Sequence, residues 1–364
     1  MVYRAIGLMS GSSLDGLDIV FASFTEQGGQ WSFAIEAAGC YPYTAEWTSR
    51  LREATRLPAR DYLLLHSDYG HYLGQAVNRF IEENQLQFRV ALIASHGHTS
   101  FHLPGQKMTA QLGDGAALAA VTGLPVVSDL RALDVALGGQ GAPIVPVGER
   151  LLLGGYDYFL NIGGIANISF NTDPYLAFDV CPANRVLNML AADAGMDYDE
   201  NGRLAAGGSL QHGLLAQLNA LDYYQQTGPR SLANDFGTDT VYPLVKAAGL
   251  SIPDALCTCC EHIAQQVAKA IAAAPKPAER DSCQLLCTGG GAFHRYLVER
   301  ISALLQPHHI SVVVPDEHLV QYKEALIMAF LGVLRWRQEN TVFASVTGAS
   351  RPSIGGALWA GEDA

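Results

Sequence analysis

Charged residues are scarce in this sequence, and most of those present are acidic. Asp, Glu, Lys and Arg make up only 16% of the 364 residues, and 35 acidic residues oppose 23 basic ones, for a net charge of −12. This balance argues against a surface that binds nucleic acid or an anionic membrane. We expect any bound phosphate to be held by backbone N–H groups and a metal ion rather than by a basic patch.

Long apolar runs are also absent. No uninterrupted apolar stretch approaches the roughly 20 residues that a membrane-spanning helix needs. The residues before the first predicted strand lack the pattern of a signal peptide, so none is expected. Seven cysteines, an odd number, fit a reducing compartment better than a disulfide framework. These features predict a cytoplasmic protein. With 49% hydrophobic residues the chain can form a large core, and its length favours two domains.

Two common phosphate-binding motifs are missing as well. The sequence has no Gly-x-x-x-x-Gly-Lys-Ser/Thr, and no glycine spacing completes Gly-x-Gly-x-x-Gly after a predicted strand. Gly289 and Gly291 begin the second motif, but His294 occupies the position of its last glycine. P-loop and Rossmann folds are therefore disfavoured.

Two similar strand–turn–strand patterns are present instead, at residues 3–21 and 158–170. Each turn is rich in small residues, which let the backbone approach a ligand closely and expose N–H groups and hydroxyls to phosphate oxygens. We interpret the two turns as holding one polyphosphate, with Asp15 as a magnesium ligand; a polar hairpin with an Asp turn is the alternative. The predicted nucleotide-binding residues are Gly11, Ser12, Ser13, Leu14, Asp15, Gly16, Leu17 and Asp18 in the first turn, and Gly163, Gly164 and Asn167 in the second.

A third glycine-rich segment comprises Gly289, Gly290 and Gly291, between a predicted buried strand and a helix. Three successive glycines are entropically costly unless something packs flat against them, and the adenosine of a nucleotide would fit there. We therefore include all three among the predicted nucleotide-binding residues.

Two carboxylates are candidates for chemistry. Asp179 follows an apolar strand and precedes a helix, where it could act as a general base or bind a metal; an N-cap or Asx turn is the alternative. Glu324 lies in an otherwise apolar predicted helix and is the second candidate for chemistry. The alternative is that it is only a first-turn acid, which interacts favourably with the helix dipole.

The histidines and the clustered cysteines are not predicted to bind a metal. His96, His98 and His102 lack a suitably spaced Cys or carboxylate, so a hydrogen bond to substrate is favoured over zinc binding. Cys257, Cys259, Cys260 and His262 lie in a predicted helix, where cysteine behaves as a small hydrophobic residue. A structural role is therefore predicted for this cluster.

In their order along the chain, these motifs resemble the anhydro-N-acetylmuramic acid kinase family, a member of the actin/hexokinase/Hsp70-like ATPase superfold. The resemblance extends over nearly the whole sequence. It is carried by residues 11–18, 95–97, 111–115, 129–131, 139–143, 161–167 and 288–292, and by Glu324 and Ala325 with Ala329 and Phe330.

The resemblance implies an α/β fold of two similar RNase H-like domains with an interdomain cleft. The densest Gly/Pro segment, 137–143, is a natural crossing between them. We therefore place the first domain at 1–136, with a tail from about 345 to 364 predicted to return to it, and the second at 137–344.

The resemblance also implies a reaction. ATP, with Mg²⁺, phosphorylates O6 of 1,6-anhydro-N-acetylmuramic acid while water opens the anhydro bridge at C1, giving N-acetylmuramic acid 6-phosphate in peptidoglycan recycling. Asp179 matches the family's Asp and is the predicted base for water, and Glu324 would position sugar or water. His96, Arg131 and Gln140 are the predicted sugar-binding residues. Members of the family commonly form homodimers.

The chain departs from the family pattern at several positions. Val180 and Cys181 replace a Thr-Gly pair beside the predicted base, His98 replaces a Gln, and Gly148 and Glu149 replace a Phe-His pair. Two alternatives therefore stay open: a kinase of the same superfold for another sugar or small acid, and a non-catalytic ATP-binding regulator. Retention of both carboxylates favours an enzyme.

Overall fold

The computed structural model describes residues 1–11, 13–225, 230–232, 235–273 and 282–361. The chain forms two compact units. Unit 1 comprises Met1–Leu153 and Tyr322–Ala364, and unit 2 comprises Gly154–Gln321. No helix among the described residues is long and apolar enough to cross a membrane.

These units differ from the sequence-based division at 136/137 and 344/345. The Gly/Pro-rich segment belongs to unit 1 because its backbone is attached to Asp134. The Gly139 N–H donates to the Asp134 carbonyl at 2.9 Å, and the Gly141 N–H donates to the Asp134 carboxylate at 2.7 Å.

The strands and helices alternate along much of the chain. The strands are β1 (Val2–Ser10), β2 (Gly16–Gln27), β3 (Gln30–Pro42), β4 (Leu92–Leu103), β5 (Met108–Leu112), β6 (Val126–Ser128), β7 (Tyr158–Ile162), β8 (Ile165–Phe170), β9 (Leu176–Pro182), β10 (Cys283–Thr288), β11 (Ile310–Val313) and β12 (Ala357–Trp359). The α-helices are α1 (Ala45–Arg52), α2 (Ala59–Glu83), α3 (Gly115–Thr122), α4 (Ala132–Ala136), α5 (Pro146–Leu152), α6 (Asn184–Ala192), α7 (Arg203–Gly207), α8 (His212–Asn219), α9 (Tyr242–Ala247), α10 (Ile252–Ala273), α11 (Arg295–Leu305), α12 (Glu317–Trp336) and α13 (Ala344–Thr347).

Unit 1 is built on a seven-stranded mixed sheet in the order β12-β6-β4-β1-β2-β3, with β5 paired to β4. The strands β1, β2 and β3 are antiparallel, whereas β4 is parallel to β1 and β6 is parallel to β4. Helix α2 buries Tyr69, Leu73 and Val77 at four-residue spacing, so one helical face packs with the sheet residues Ile6 and Phe21 in a single core.

Unit 2 repeats this arrangement in a five-stranded sheet ordered β11-β10-β7-β8-β9. Three antiparallel strands are again followed by two parallel ones. Helix α10 is buried along most of its length and packs in the core of this unit. The predicted fold class, an α/β fold of two similar units, is confirmed, and the structure shows that both sheets are mixed.

The shared topology determines where each unit gathers its predicted site residues. Parallel strands end at the same edge of a sheet. In unit 2, β7 and β10 are parallel, with Asn161 beside Thr288. The turn after β7 and the glycine segment after β10 therefore lie at one edge. In unit 1, the β1–β2 turn and the middle of β4 come together in the same way.

Candidate active site

The β1–β2 turn of unit 1 is organised around Asp15. The Ser13 hydroxyl donates to Asp15 Oδ1 at 2.7 Å, and the Gly16 N–H donates to the same oxygen at 3.0 Å. Leu14 adopts a left-handed conformation with a φ of 60°. Gly11 opens the turn, and Ser12 lies outside the described residues. The turn thus orients a carboxylate beside hydroxyl and N–H donors, and its role in binding phosphate or magnesium stays a prediction.

Asp18 and Glu324 bring two more carboxylates near this turn. Burial raises the pKa of Asp18 to about 6, a hydrogen bond from the Cys40 thiol opposes the rise, and the charges of Asp15 and Glu324 add to it. Helix α12 places Glu324 by packing directly on β1, where Gly7 leaves room for the Ala325 carbonyl. Mg²⁺ is commonly held by one or two carboxylates together with substrate phosphates, and Asp15 and Asp18 fit that donor set.

The buried His96 and the partly buried Arg131 form a pair in unit 1. Arg131 Nε donates to His96 Nε2 at 2.8 Å, and His96 Nδ1 lies 2.8 Å from the Gly97 carbonyl. Burial and the Arg131 charge lower the pKa of His96 to about 3, so the ring is neutral and donates through Nδ1. Burial also lowers the pKa of Arg131 to about 10, while the charges of Glu324 and Asp134 favour its protonated form. The structure therefore brings His96, Arg131 and Glu324 together.

His96 lies within a strand rather than a loop. The apolar run 90–94 predicts a strand that ends at Ser95 and leaves His96 in a loop, but β4 continues to Leu103. Gly97, with a φ of 70°, accommodates an irregularity, and beyond it β4 pairs with β5. Since the pairing partner begins about ten residues later, the local sequence carries no signal for this extension.

The segment around Gln140 is held by a residue that sequence reasoning missed. Asp134, which is 1% exposed, accepts from the Gly141 N–H and from the Thr347 hydroxyl, both at 2.7 Å. The Gln140 N–H donates to the Thr347 carbonyl at 2.8 Å, and Gln140 itself is exposed. An acid in an apolar stretch of sequence was the available signal for Asp134.

In unit 2, the glycine turn after β7 is hydrogen-bonded to the start of helix α6. The carbonyl of Gly163 accepts from the Asn184 N–H at 3.0 Å, and that of Gly164 accepts from the Ala183 N–H at 2.9 Å. Asn167 lies on the next strand, opposite Asp179. The turn, the helix start and the predicted base therefore belong to one local structure.

Asp179 is oriented by four hydrogen bonds. Its Oδ2 accepts from the Leu232 N–H at 2.8 Å and from the Ser231 hydroxyl at 3.3 Å. Its backbone N–H donates to the Arg230 carbonyl, and its carbonyl accepts from the Tyr223 hydroxyl. Burial raises the pKa of Asp179, and the two donors to Oδ2 oppose that rise. A fixed carboxylate with raised basicity suits proton abstraction from water.

The three glycines after β10 have different roles. A Cβ on Gly289 would lie 2.5 Å from Asn161 Oδ1, and one on Gly291 would lie 2.2 Å from Ile162 Cγ2. Close packing against the end of β7 is thus sufficient to require these two glycines. Gly290 has more room and lines a cavity.

That cavity has a volume of about 560 Å³ and lies within unit 2. Its size is in the range of small-molecule sites. The lining combines apolar side chains with polar and acidic ones, which suits the ring faces, hydroxyls and ring nitrogens of a nucleoside. It comprises Asn184, Leu187, Asn188, Tyr198, Asp199, Glu200, Asn201, Gly290, Phe293, His294, Glu317 and Gln321. A larger groove, of about 650 Å³ between β3 and α2 in unit 1, includes none of the predicted site residues.

Asn184 links the parts of this site, although sequence reasoning did not select it. Its Nδ2 donates to the Ile162 carbonyl at 3.1 Å, and a Cβ on Gly290 would lie 3.5 Å from that nitrogen. The side chain therefore lies between the turn after β7 and the segment after β10. Its position five residues after the predicted base, at the end of the segment 179–184, was the available signal.

The predicted structural role of the cysteine cluster is confirmed. Cys259 and Cys260 are buried on α10 within the core of unit 2. No group of three or more His, Cys, Asp or Glu side chains able to hold a metal occurs in the part of the chain that the structure describes.

Comparison with known proteins gives a consistent result. A family model described as anhydro-N-acetylmuramic acid kinase matches residues 3–361. The anhydro-N-acetylmuramic acid kinase of Methylobacterium nodulans is 34% identical and covers 97% of this chain and 98% of the relative. That of Paramagnetospirillum magneticum has the same identity and coverage. Among solved structures, the activator of 2-hydroxyisocaproyl-CoA dehydratase from Clostridium difficile, with bound ADPNP, covers 92% of this chain and 96% of that chain at 14% identity with a TM-score of 0.47.

Proposed function

The chain belongs to the anhydro-N-acetylmuramic acid kinase family, and from that premise we propose that it phosphorylates 1,6-anhydro-N-acetylmuramic acid at O6 with ATP while water opens the anhydro bridge. The product is N-acetylmuramic acid 6-phosphate, an intermediate of peptidoglycan recycling. The full-length family match carries this proposal. A cytoplasmic location stays a prediction from the composition, and a homodimer stays a prediction of the family resemblance.

The reaction joins two bond changes. Asp179 accepts a proton from water, and the water oxygen attacks C1 of the sugar as the C1–O6 bond breaks. The released O6 takes the γ-phosphoryl group of ATP, and ADP leaves. The hydrogen bonds from Leu232 and Ser231 hold the Asp179 carboxylate in one orientation, and its raised pKa makes it a better proton acceptor.

The other predicted residues have supporting roles. The cavity of unit 2 would take the nucleoside, and Asp15 and Asp18 would hold Mg²⁺, which neutralises phosphate charge when bound. The Arg131 guanidinium offers a charge for the sugar's lactyl carboxylate, and Glu324 would orient sugar or water. His96 acts by holding Arg131 in place.

The residues that depart from the family pattern are buried, so they give no specific support to another substrate. Val180 and Cys181 are fully buried in the core of unit 2, so they change its packing rather than its accessible surface. His98 is 7% exposed, with Nδ1 3.2 Å from the Ser10 hydroxyl. Glu149 pairs with Lys323 at 2.7 Å, and both are buried. Each substitution thus has a partner or a packed environment within the chain.

The decisive experiment is mass spectrometry of the reaction with ATP, magnesium and the anhydro sugar in oxygen-18 water. We expect a phosphorylated sugar with one heavy oxygen at C1. The Asp179→Asn variant should lose about 10²–10⁴-fold in turnover, the usual contribution of a general base, and should still bind ATP. Asp61→Asn, at an exposed carboxylate of α2, is the matched control. Unlabelled product, or unchanged turnover in Asp179→Asn, would overturn the assignment.

A further inference from the structure

Arg185 lies beside the glycine turn after β7. It follows Asn184 at the start of α6, and its guanidinium lies against Gly164. A Cβ on Gly164 would lie 3.6 Å from Arg185 Nε and 3.9 Å from its Nη2. The absence of a side chain at Gly164 thus gives this cation access to a turn predicted to bind phosphate.

The Arg185 side chain lacks a partner suited to its charge. Its Nε is buried and has no hydrogen-bond acceptor among the described residues. No ion pair of Arg185 occurs in the described ranges either. A buried N–H without an acceptor is costly, and more so on a charged group. An anionic ligand would supply the missing acceptor.

A second buried polar atom without a partner lies at the same edge of the sheet. Thr288, at the end of β10, is fully buried, and its hydroxyl has no hydrogen-bond partner among the described residues. It is in register with Asn161 near the end of β7. The nucleoside-sized cavity begins here too, since Asn184 and Gly290 line it. Unsatisfied polar groups and a cavity therefore coincide at one place.

We propose that Arg185 binds a phosphate oxygen of the nucleotide and positions it for transfer. The planar guanidinium can donate two parallel hydrogen bonds to phosphate, which the ammonium of lysine cannot do in one plane. The proposal rests on the proposed function, because it takes the ligand to be a nucleotide. It adds one basic side chain to the backbone N–H groups and metal ion that the sequence predicts as phosphate ligands, and it requires no basic patch.

The test compares the binding of adenosine, AMP, ADP and ATP to the full chain by calorimetry, with magnesium and without sugar. Arg185→Met should weaken ATP binding about 10- to 100-fold, as expected for a hydrogen bond to a charged group. Adenosine binding should change less than threefold because adenosine has no phosphate. Arg185→Lys should lie between, and it carries the test if the methionine variant does not fold. Arg295→Met, at an exposed arginine of α11, should match the wild type.

The outcomes separate a phosphate contact from a structural role. Equal weakening of adenosine and ATP would mean that Arg185 only supports the fold, and unchanged ATP affinity would mean no contact; either result overturns the proposal, as does a wild-type chain that binds no ATP. Because sugar is omitted, the binding result stands even if the chain fails to phosphorylate the anhydro sugar. The KM for ATP should rise in the active variants, while that for the sugar should not.

Discussion

Some residues of the candidate site lower the stability of the folded protein, and Asp18 is an example. Its folded-state pKa of about 6 exceeds the ordinary 3.8, so between those values the folded chain binds more protons than the unfolded chain. Stability therefore falls as the pH rises through this window, and the full cost is present above it. Carboxylates held in this way are typical of functional sites, where charge is needed despite burial.

Asp18→Asn should consequently stabilise the protein at pH 8 by about 1–3 kcal/mol, since the amide removes the buried charge. At pH 3.5 the gain should vanish, because the native carboxyl is then protonated. Urea unfolding at the two pH values measures the difference, with Asp61→Asn as control. If Asp18→Asn were stabilised equally at both pH values, the charge of Asp18 would not be what destabilises the native protein.

His96 titrates in the opposite sense. Its folded-state pKa of about 3 lies below the ordinary 6.5, so the unfolded chain binds the extra proton between those values. Stability therefore declines as the pH falls below 6.5. Between pH 7.5 and 5 the wild type should lose about 2 kcal/mol more than His96→Gln, which can still accept from Arg131. The buried His262 has a similarly lowered pKa, but its contribution cancels in this comparison. Equal losses in both proteins would contradict the neutral-ring assignment.

The sequence identifies residue types at the site better than their partners. His96 and Arg131 could be selected from motifs, but their contact joins positions 35 apart. Asp134 reaches Thr347 across 213 positions, and Lys323 reaches Glu149 across 174. Such pairs depend on tertiary packing, for which a single sequence carries no local signal. The acids could be noticed, whereas the groups that orient them could not.

At the scale of elements, periodicity predicts helices well and their ends less well. The helical spacing of apolar residues predicts a helix at 61–85, and α2 occupies Ala59–Glu83. The sequence pattern predicts one helix from 243 to 273, but α9 and α10 are separated by a break that includes Gly249 in a left-handed conformation. The predicted domain boundaries differ most from those of the two structural units. Helix α12 runs from Glu317 to Trp336 without a linker, so composition offers no mark where unit 2 ends.

The contact between β1 and α12 gives a prediction at this scale. A Cβ on Gly7 would lie 1.9 Å from the Ala325 carbonyl oxygen and 2.6 Å from the Ala329 nitrogen. Both are backbone atoms, so the helix that carries Glu324 must move. Gly7→Ala should destabilise the protein by about 1–3 kcal/mol, the range for overpacking, and lower kcat.

Gly105→Ala is the matched control for this test, because a Cβ there meets no atom within 4 Å. Thermal unfolding and turnover of the two variants should differ clearly. If Gly7→Ala kept both wild-type stability and wild-type turnover, the close packing of α12 on β1 would be refuted.

At the scale of the whole chain, the two units share one strand order, and each has its own glycine-containing turn between its first two strands. Sequence patterns indicate this duplication because strands and turns recur in the same order. The acidic net charge fits a protein whose phosphate contacts are few and local rather than a basic surface. Arg185 is the proposed exception within unit 2.

A division of roles between the units is testable by hydrogen exchange. Adenosine should slow deuterium uptake in the segments of unit 2 that line the cavity, namely 184–188, 198–201, 290–294 and 317–321, because ligand binding lowers the population of opened states. The β1–β2 turn of unit 1 should not respond to adenosine. ATP should extend the protection to residues 163–164, since phosphates are expected to reach the turn beside Arg185. Protection centred on the β1–β2 turn with adenosine alone would place the nucleoside in unit 1 and contradict the assignment of the cavity.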